Sequence, residues 1–217
     1  MWKLTTLCLM CVCVALSDAY WFCSTSNHVV RAMENEGIEK VVANALPSIK
    51  LSVKYPESGF EVDLGNELKP KDLNNIPEVH WDEANEKKNY TLIFTDPDVP
   101  SRTNPINKEF LHWLVVNIPG NRVKDGKVIA DYVGPAPPKG TGLHRYVFLV
   151  FEQEDGMYNF PKFNFIDNRT AVGRPLFSTN LFLMDNNLII IPLAGNFFKA
   201  QYDDSVPVTH KQIGLQP

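Results

Sequence analysis

Residues 90–102 force the chain out of a β-sheet. Residues 90–94 (Tyr-Thr-Leu-Ile-Phe) are β-branched and aromatic and read as a buried strand. Asp96-Pro97-Asp98-Val99-Pro100 follows, and neither proline can donate to a sheet ladder, so the strand must end there. Asp96 and Asp98 emerge at that end with Arg102 close behind, on a turn stiffened by proline, a place where polar sites are often built. Taken alone, the same residues also read as an ordinary surface turn in which Asp accepts backbone N–H bonds.

The neighbouring segments set the rest of the architecture. Residues 49–55 alternate apolar and polar and predict one half-buried strand. Residues 110–118 predict a strand ended by Pro119-Gly120. Its two-residue period puts Phe110, His112, Leu114 and Val116 on one face, with Leu111, Trp113 and Val115 on the other. A Pro/Gly loop at 134–143 rises into a third strand, on which His144, Tyr146 and Phe148 face one way and Arg145 and Val147 the other. Residues 27–36 predict a short helix, with Asn27 at its start and Gly37 as its stop, and 38–46 add a turn or two before Pro47. Residues 57–88 are polar, broken by Pro70 and Pro77 and anchored by Trp81, and predict extended pieces and turns.

The start of the chain bears on where the protein works. Residues 4–16 form an apolar run behind Lys3, shorter than the ~20 residues a membrane span needs. They predict a secretory signal peptide over 1–19, cut after Ala19 or, alternatively, after Ser17. Residues 20–217 then form a single domain, since no linker, charge block or repeat divides them and 44% hydrophobic content supports one core. Cys8, Cys11 and Cys13 leave with the signal, and Cys23 alone cannot form an internal disulfide. Export makes Asn89-Tyr90-Thr91 and Asn168-Arg169-Thr170 candidate glycosylation sites. A net charge of -4 argues against a general nucleic-acid binder. The expected product is secreted, extracellular and monomeric, without a transmembrane span.

Enzyme signatures are weak. The glycines at 134–142 are not followed by Gly-Lys-Ser/Thr, no Ser sits in Gly-x-Ser-x-Gly, and Ser101 has only Arg102 beside it. Glu109 and His112, three apart, diverge on a strand and so make a poor metal pair. The expectation is no enzyme, no cofactor and no metal.

Three long motifs carry a resemblance. Asp-Pro-Asp-x-Pro-Ser-Arg at 96–102, the His-aromatic-Leu-Val-Val-Asn run at 112–117 and Gly-Pro-x-Pro-Pro-x-Gly-Thr-Gly-x-His-Arg-Tyr at 134–146 strongly resemble the phosphatidylethanolamine-binding protein family. Ala194-Gly195-Asn196-Phe197-Phe198 and Gln201-Tyr202-Asp203-Asp204 match it too. The resemblance implies an antiparallel two-sheet β-sandwich with a few peripheral helices. It also implies a small anion pocket lined by Asp96, Pro100, Phe110, His112, His144 and Tyr146, with Ala136 on the rim. Phe110 stands where relatives more usually have Trp, and Ser205 where some have a Tyr that closes the pocket.

Such a pocket suits a phosphorylated head group, as on phosphatidylethanolamine-like lipids or other small amphiphiles. Two imidazoles can donate N–H and Tyr146 can donate O–H. Asp96 is expected to hold the distal nitrogen of a histidine or to meet a ligand ammonium. Binding is then expected to tighten as pH falls through the histidine range, and the motif pocket is expected to be too small for an apolar tail. The alternative function implied by the resemblance is an extracellular regulator that inhibits a serine protease or binds a signalling protein.

Overall fold

The computed structural model describes residues 27–154, 156–161 and 163–216. The expected signal peptide, its cut site and Cys23 lie outside the described residues. The protein is mainly β, with nine strands in two sheets and three α-helices among the described residues. The strands are β1 (Ile49–Lys50), β2 (Ser52–Tyr55), β3 (Phe60–Glu61), β4 (Glu78–His80), β5 (Asn89–Asp96), β6 (Phe110–Pro119), β7 (Lys127–Ala130), β8 (His144–Gln153) and β9 (Ala194–Ala200). The helices are α1 (Asn27–Asn35), α2 (Thr179–Asp185) and α3 (Val206–Gln212).

The larger sheet has the order β1-β9-β8-β5-β6-β7 and the smaller β3-β2-β4. All pairings are antiparallel except β1 with β9. The strand expected over 49–55 is two strands, because the chain changes sheets at Leu51. The carbonyl of Leu51 accepts from the Asn196 amide, which also donates to Val62 O, while its oxygen accepts from Leu64 N. One buried Asn therefore satisfies the backbone groups that neither sheet can reach. The helix expected over 27–36 is α1, which ends at Asn35, and the chain turns off at Gly37, whose φ of 66° only glycine adopts cheaply.

The large sheet buries both faces. Leu92, Phe94, Trp113 and Phe148 pack in one cluster with Val53, Tyr55 and Val79 of the small sheet. On the opposite face, Ile93, Leu114, Val147 and Leu149 pack with Val29 and Met33 of α1 and Phe182 and Leu183 of α2. This is why β5 and β8 are apolar on both faces: burying each such side chain contributes roughly 1.5–3 kcal/mol.

Candidate functional site

The three motifs meet because of strand direction. β5 lies between β6 and β8 and runs antiparallel to both, so its end abuts their starts: Asp96 pairs with Phe110, and Thr95 with Leu111 and Val147. Motif one leaves the sheet where motifs two and three enter it.

A β-bulge places His112. Phe94 pairs with Trp113 and the next residue, Thr95, pairs with Leu111, so His112 is the extra residue in β6. The bulge breaks the expected alternation. Leu114 and Val116 lie in the cluster beneath the helices, whereas the His112 ring stands against Phe94, Phe110 and Tyr146 at centroid distances of 5.2, 4.9 and 5.3 Å. On β8 the expected alternation holds, with Tyr146 and Phe148 facing one cluster and Val147 the other.

A cavity of about 650 Å³ opens at this end. Asp96, Phe110, His112, Ala136 and Tyr146 line it, whereas Pro100 and His144 do not: Val99 lines it in place of Pro100, and His144 stands behind Asp96. The expectation of a pocket too small for a tail fails because α3 and the residues after it supply a second wall. Pro207, His210, Ile213 and Leu215 face the motif loop across the cavity, and His210 Nε2 donates to Ala136 O at 2.9 Å. The site that some relatives close with Tyr is here Ser205, which begins α3, and Tyr202 lines the cavity instead, with Lys139 Nζ 5.5 Å above its ring. Lys139 belongs to a motif already visible in the sequence; the α3 residues carry no local mark that could have announced them.

The polar floor has a definite hydrogen-bond order. Thr141 Oγ1 donates to Pro138 O at 2.7 Å, so His144 Nε2, 2.8 Å away, is assigned as donor to that hydroxyl. His144 Nδ1 meets Asp96 Oδ2 at 2.8 Å, and Asp98 N donates to Asp96 Oδ1 at 2.7 Å. One proton therefore lies between Asp96 and Nδ1, and the pair is neutral overall. Burial raises the Asp96 carboxyl above its ordinary range, against the bond and charge of His144 that lower it. His112 Nδ1 donates to Val133 O at 2.8 Å, and burial pushes its pKa down to about 3, so the ring is neutral and Nε2 is an acceptor. Tyr146 is fully buried, its hydroxyl makes no well-formed hydrogen bond among the described residues although Asp96 and the Ala136 backbone lie close to it, and burial, then the Asp96 charge, holds it well above the ordinary phenol range.

These facts correct the sequence-based chemistry. Neither imidazole offers a spare N–H, because both nitrogens of His144 and Nδ1 of His112 are already bonded within the protein. The floor instead presents two acceptors, Asp96 and His112 Nε2, and one donor, the Tyr146 hydroxyl. Asp98, for which the sequence suggested no partner, accepts from Arg145 N and Nε at 2.8 and 2.9 Å and from Nη2 at 2.5 Å, locking the motif-one turn onto β8. Glu109 bonds Thr179 N and Oγ1 at 2.8 and 2.7 Å, which ties it to α2.

A mainly β protein with one concave, apolar-walled cavity at the end of its larger sheet, floored by a few fixed polar groups, has the build of a small-ligand site. The chain belongs to the phosphatidylethanolamine-binding protein family, whose profile, described as "Phosphatidylethanolamine-binding protein", matches residues 58–197. It is 31% identical over 202 residues to "Putative odorant-binding protein A5" of Drosophila melanogaster, covering 93% of this chain and 91% of that one. Among solved structures it is similar to CG7054, at 40% identity and TM-score 0.64 over 80% of this chain and 97% of the other. It is also similar to a carboxypeptidase Y inhibitor solved with its cognate proteinase, at 27% identity and TM-score 0.64 over 81% and 95%.

Proposed function

We propose that the protein is a secreted, non-enzymatic binding protein for amphiphiles with a phosphorylated, ammonium-bearing head of the phosphoethanolamine class. The observation that carries this reading is the buried Tyr146 hydroxyl, which makes no well-formed hydrogen bond among the described residues, beside the neutral His112 at the floor of an apolar-walled cavity. A buried polar group left unpaired costs about 1–3 kcal/mol, which a ligand acceptor would offset. The ammonium meets Asp96 and His112 Nε2, and the phosphate meets the Tyr146 hydroxyl and, toward the mouth, Lys139. The remaining walls, Val99, Val133, Ile213 and Leu215 among them, suit the start of an apolar tail. Export is supported by the apolar run at 4–16, and turnover is disfavoured because Ser101 bonds Thr103 outside the cavity lining. The apolar cluster between the two sheets supports describing them as a sandwich.

Calorimetric titration with inorganic phosphate, phosphoethanolamine and a short-chain phosphatidylethanolamine tests the reading. Both amine-bearing ligands should bind the wild type more tightly than phosphate, and the lipid should bind with an affinity that changes by less than about threefold between pH 5 and 8, because His112 does not charge in that range. Absence of heat with all three ligands, or an affinity that climbs tenfold as pH falls, would refute it. The second reading, an extracellular protease inhibitor, rests on the likeness to the carboxypeptidase Y inhibitor. Inhibition of a purified protease panel, carboxypeptidases and serine endoproteases included, would favour it, and a panel left fully active would remove it.

A further inference from the structure

Arg174 is wholly buried, and none of the described residues places a carboxylate within ion-pair distance of it. Its guanidinium spends every donor on backbone carbonyls. Nη1 donates to Leu111 O and His112 O at 2.9 and 3.2 Å, Nη2 to Asp131 O and Asp167 O at 2.9 Å each, and Nε to Thr170 O at 2.9 Å. The Asp131 and Asp167 carboxylates offset part of its charge from beyond ion-pair distance, but burying a guanidinium without a direct ion pair is still costly. The carbonyls it selects are informative. Leu111 and His112 form the bulge that aims the histidine, and Asp131 is two residues before Val133, whose carbonyl fixes His112 Nδ1–H and whose N–H bonds His112 O at 2.9 Å.

We infer that Arg174 is a positioning residue for the cavity: through the Leu111 and His112 carbonyls it clamps the β6 bulge that aims the histidine, and its fixed positive charge adds to burial in leaving His112 Nε2 an acceptor at neutral pH. The ligand consequence rests on the binding reading above; the effect on His112 does not. The charged and titratable groups around the His112 ring are Asp96 of β5, His144 and Tyr146 of β8, and Lys139 and His210 across the cavity, besides Arg174 itself, whose charge the Asp131 and Asp167 carboxylates partly offset. Of these, Arg174 is the largest charge effect opposing protonation, ahead of His144, and it adds to the effect of burial. Burial also brings the pKa of Arg174 itself down to about 10, which leaves it charged at neutral pH.

The test is the pH titration of His112 followed by its ring-nitrogen NMR shifts in the wild type, Arg174→Met and Arg174→Lys, beside phosphoethanolamine calorimetry at pH 5 and 8. In the wild type Nε2 should show the shift of an unprotonated nitrogen throughout pH 5 to 8. In Arg174→Met the His112 titration should move up by about one pH unit or more, as loss of a close like charge does. Starting from about 3, such a rise still leaves the ring mostly neutral at pH 5, so phosphoethanolamine binding should weaken through loss of the clamp by a similar factor at pH 5 and pH 8. Arg174→Lys keeps the charge with fewer donors, so it should retain the wild-type titration while weakening binding at both pH values alike. A folded Arg174→Met in which His112 titrates as in the wild type overturns the inference. Should Arg174→Met fail to fold, an upward move of the His112 titration in Arg174→Lys overturns it, because that variant retains the charge. Failure of wild type to bind phosphoethanolamine would count against the ligand reading, and the His112 titration would still decide the role of Arg174.

Discussion

Replacing Glu109 by Gln should remove a pH-dependent part of the protein's stability. Glu109 precedes the first residue of β6 and is 4% exposed, with both carboxylate oxygens on Thr179 at the start of α2. Burial lifts its pKa from 4.5 to about 7, against the bonds from Thr179 that lower it. A difference of about 2.5 in pKa corresponds to roughly 3 kcal/mol. The sign follows from linkage. Between pH 4.5 and 7 the folded state holds a proton on Glu109 that the unfolded state has released, so stability falls as pH rises through this window. The contribution is fully present below pH 4.5 and is lost above pH 7. The assay is urea unfolding from pH 4 to 8 of wild type and Glu109→Gln, comparing their difference at each pH so that other titrating groups cancel. Gln keeps the shape and one acceptor but cannot titrate. The wild type should lose about 3 kcal/mol relative to the variant between pH 4.5 and 7.5. A difference that stays flat to within about 0.5 kcal/mol would refute the reasoning, because burial of the carboxyl would then not be shifting its ionisation.

Three other outcomes are expected. Asp98→Asn should destabilise the fold by about 3 kcal/mol in chemical denaturation, since it leaves the Arg145 guanidinium buried without its charge partner; a loss under about 1 kcal/mol would mean that solvent reaches the pair. Tyr146→Phe should leave stability unchanged or raise it by up to about 1 kcal/mol while weakening head-group binding roughly tenfold, and an equal loss of both would show that the hydroxyl serves the fold. After expression through a secretory route, mass analysis should find a glycan that Asn168→Gln removes and none that depends on Asn89. Asn168 is exposed in a loop, whereas Asn89 is paired on both sides within the sheet and Thr91 is buried. The opposite occupancy would contradict this exposure argument.

Much of the fold was legible because it rests on local pattern. The helix stop at Gly37, the strand runs behind β5, β6 and β8, and the proline exit after Asp96 follow from backbone preference and side-chain period. Five of the seven residues that the resemblance assigned to the site line one cavity. What failed were readings that depend on partners far away in the chain. The division of 49–55 into two strands reflects their partners, β9 for one and β3 and β4 for the other.

The sequence by itself determined which segments become strands, where motif one leaves the sheet, and that its carboxylates emerge there, because propensity, period and proline act within a few residues. Only the tertiary structure decided that a bulge turns His112 away from Leu114 and Val116, that Arg174 grips its backbone carbonyl, and that α3 widens the pocket into a cavity. These features come from strand register and from hydrogen bonds between groups 21 to 74 positions apart. The protonation order of the floor follows from the same contacts, since His112 is neutral and Asp96 shares its proton only through the burial and the partners that the fold supplies.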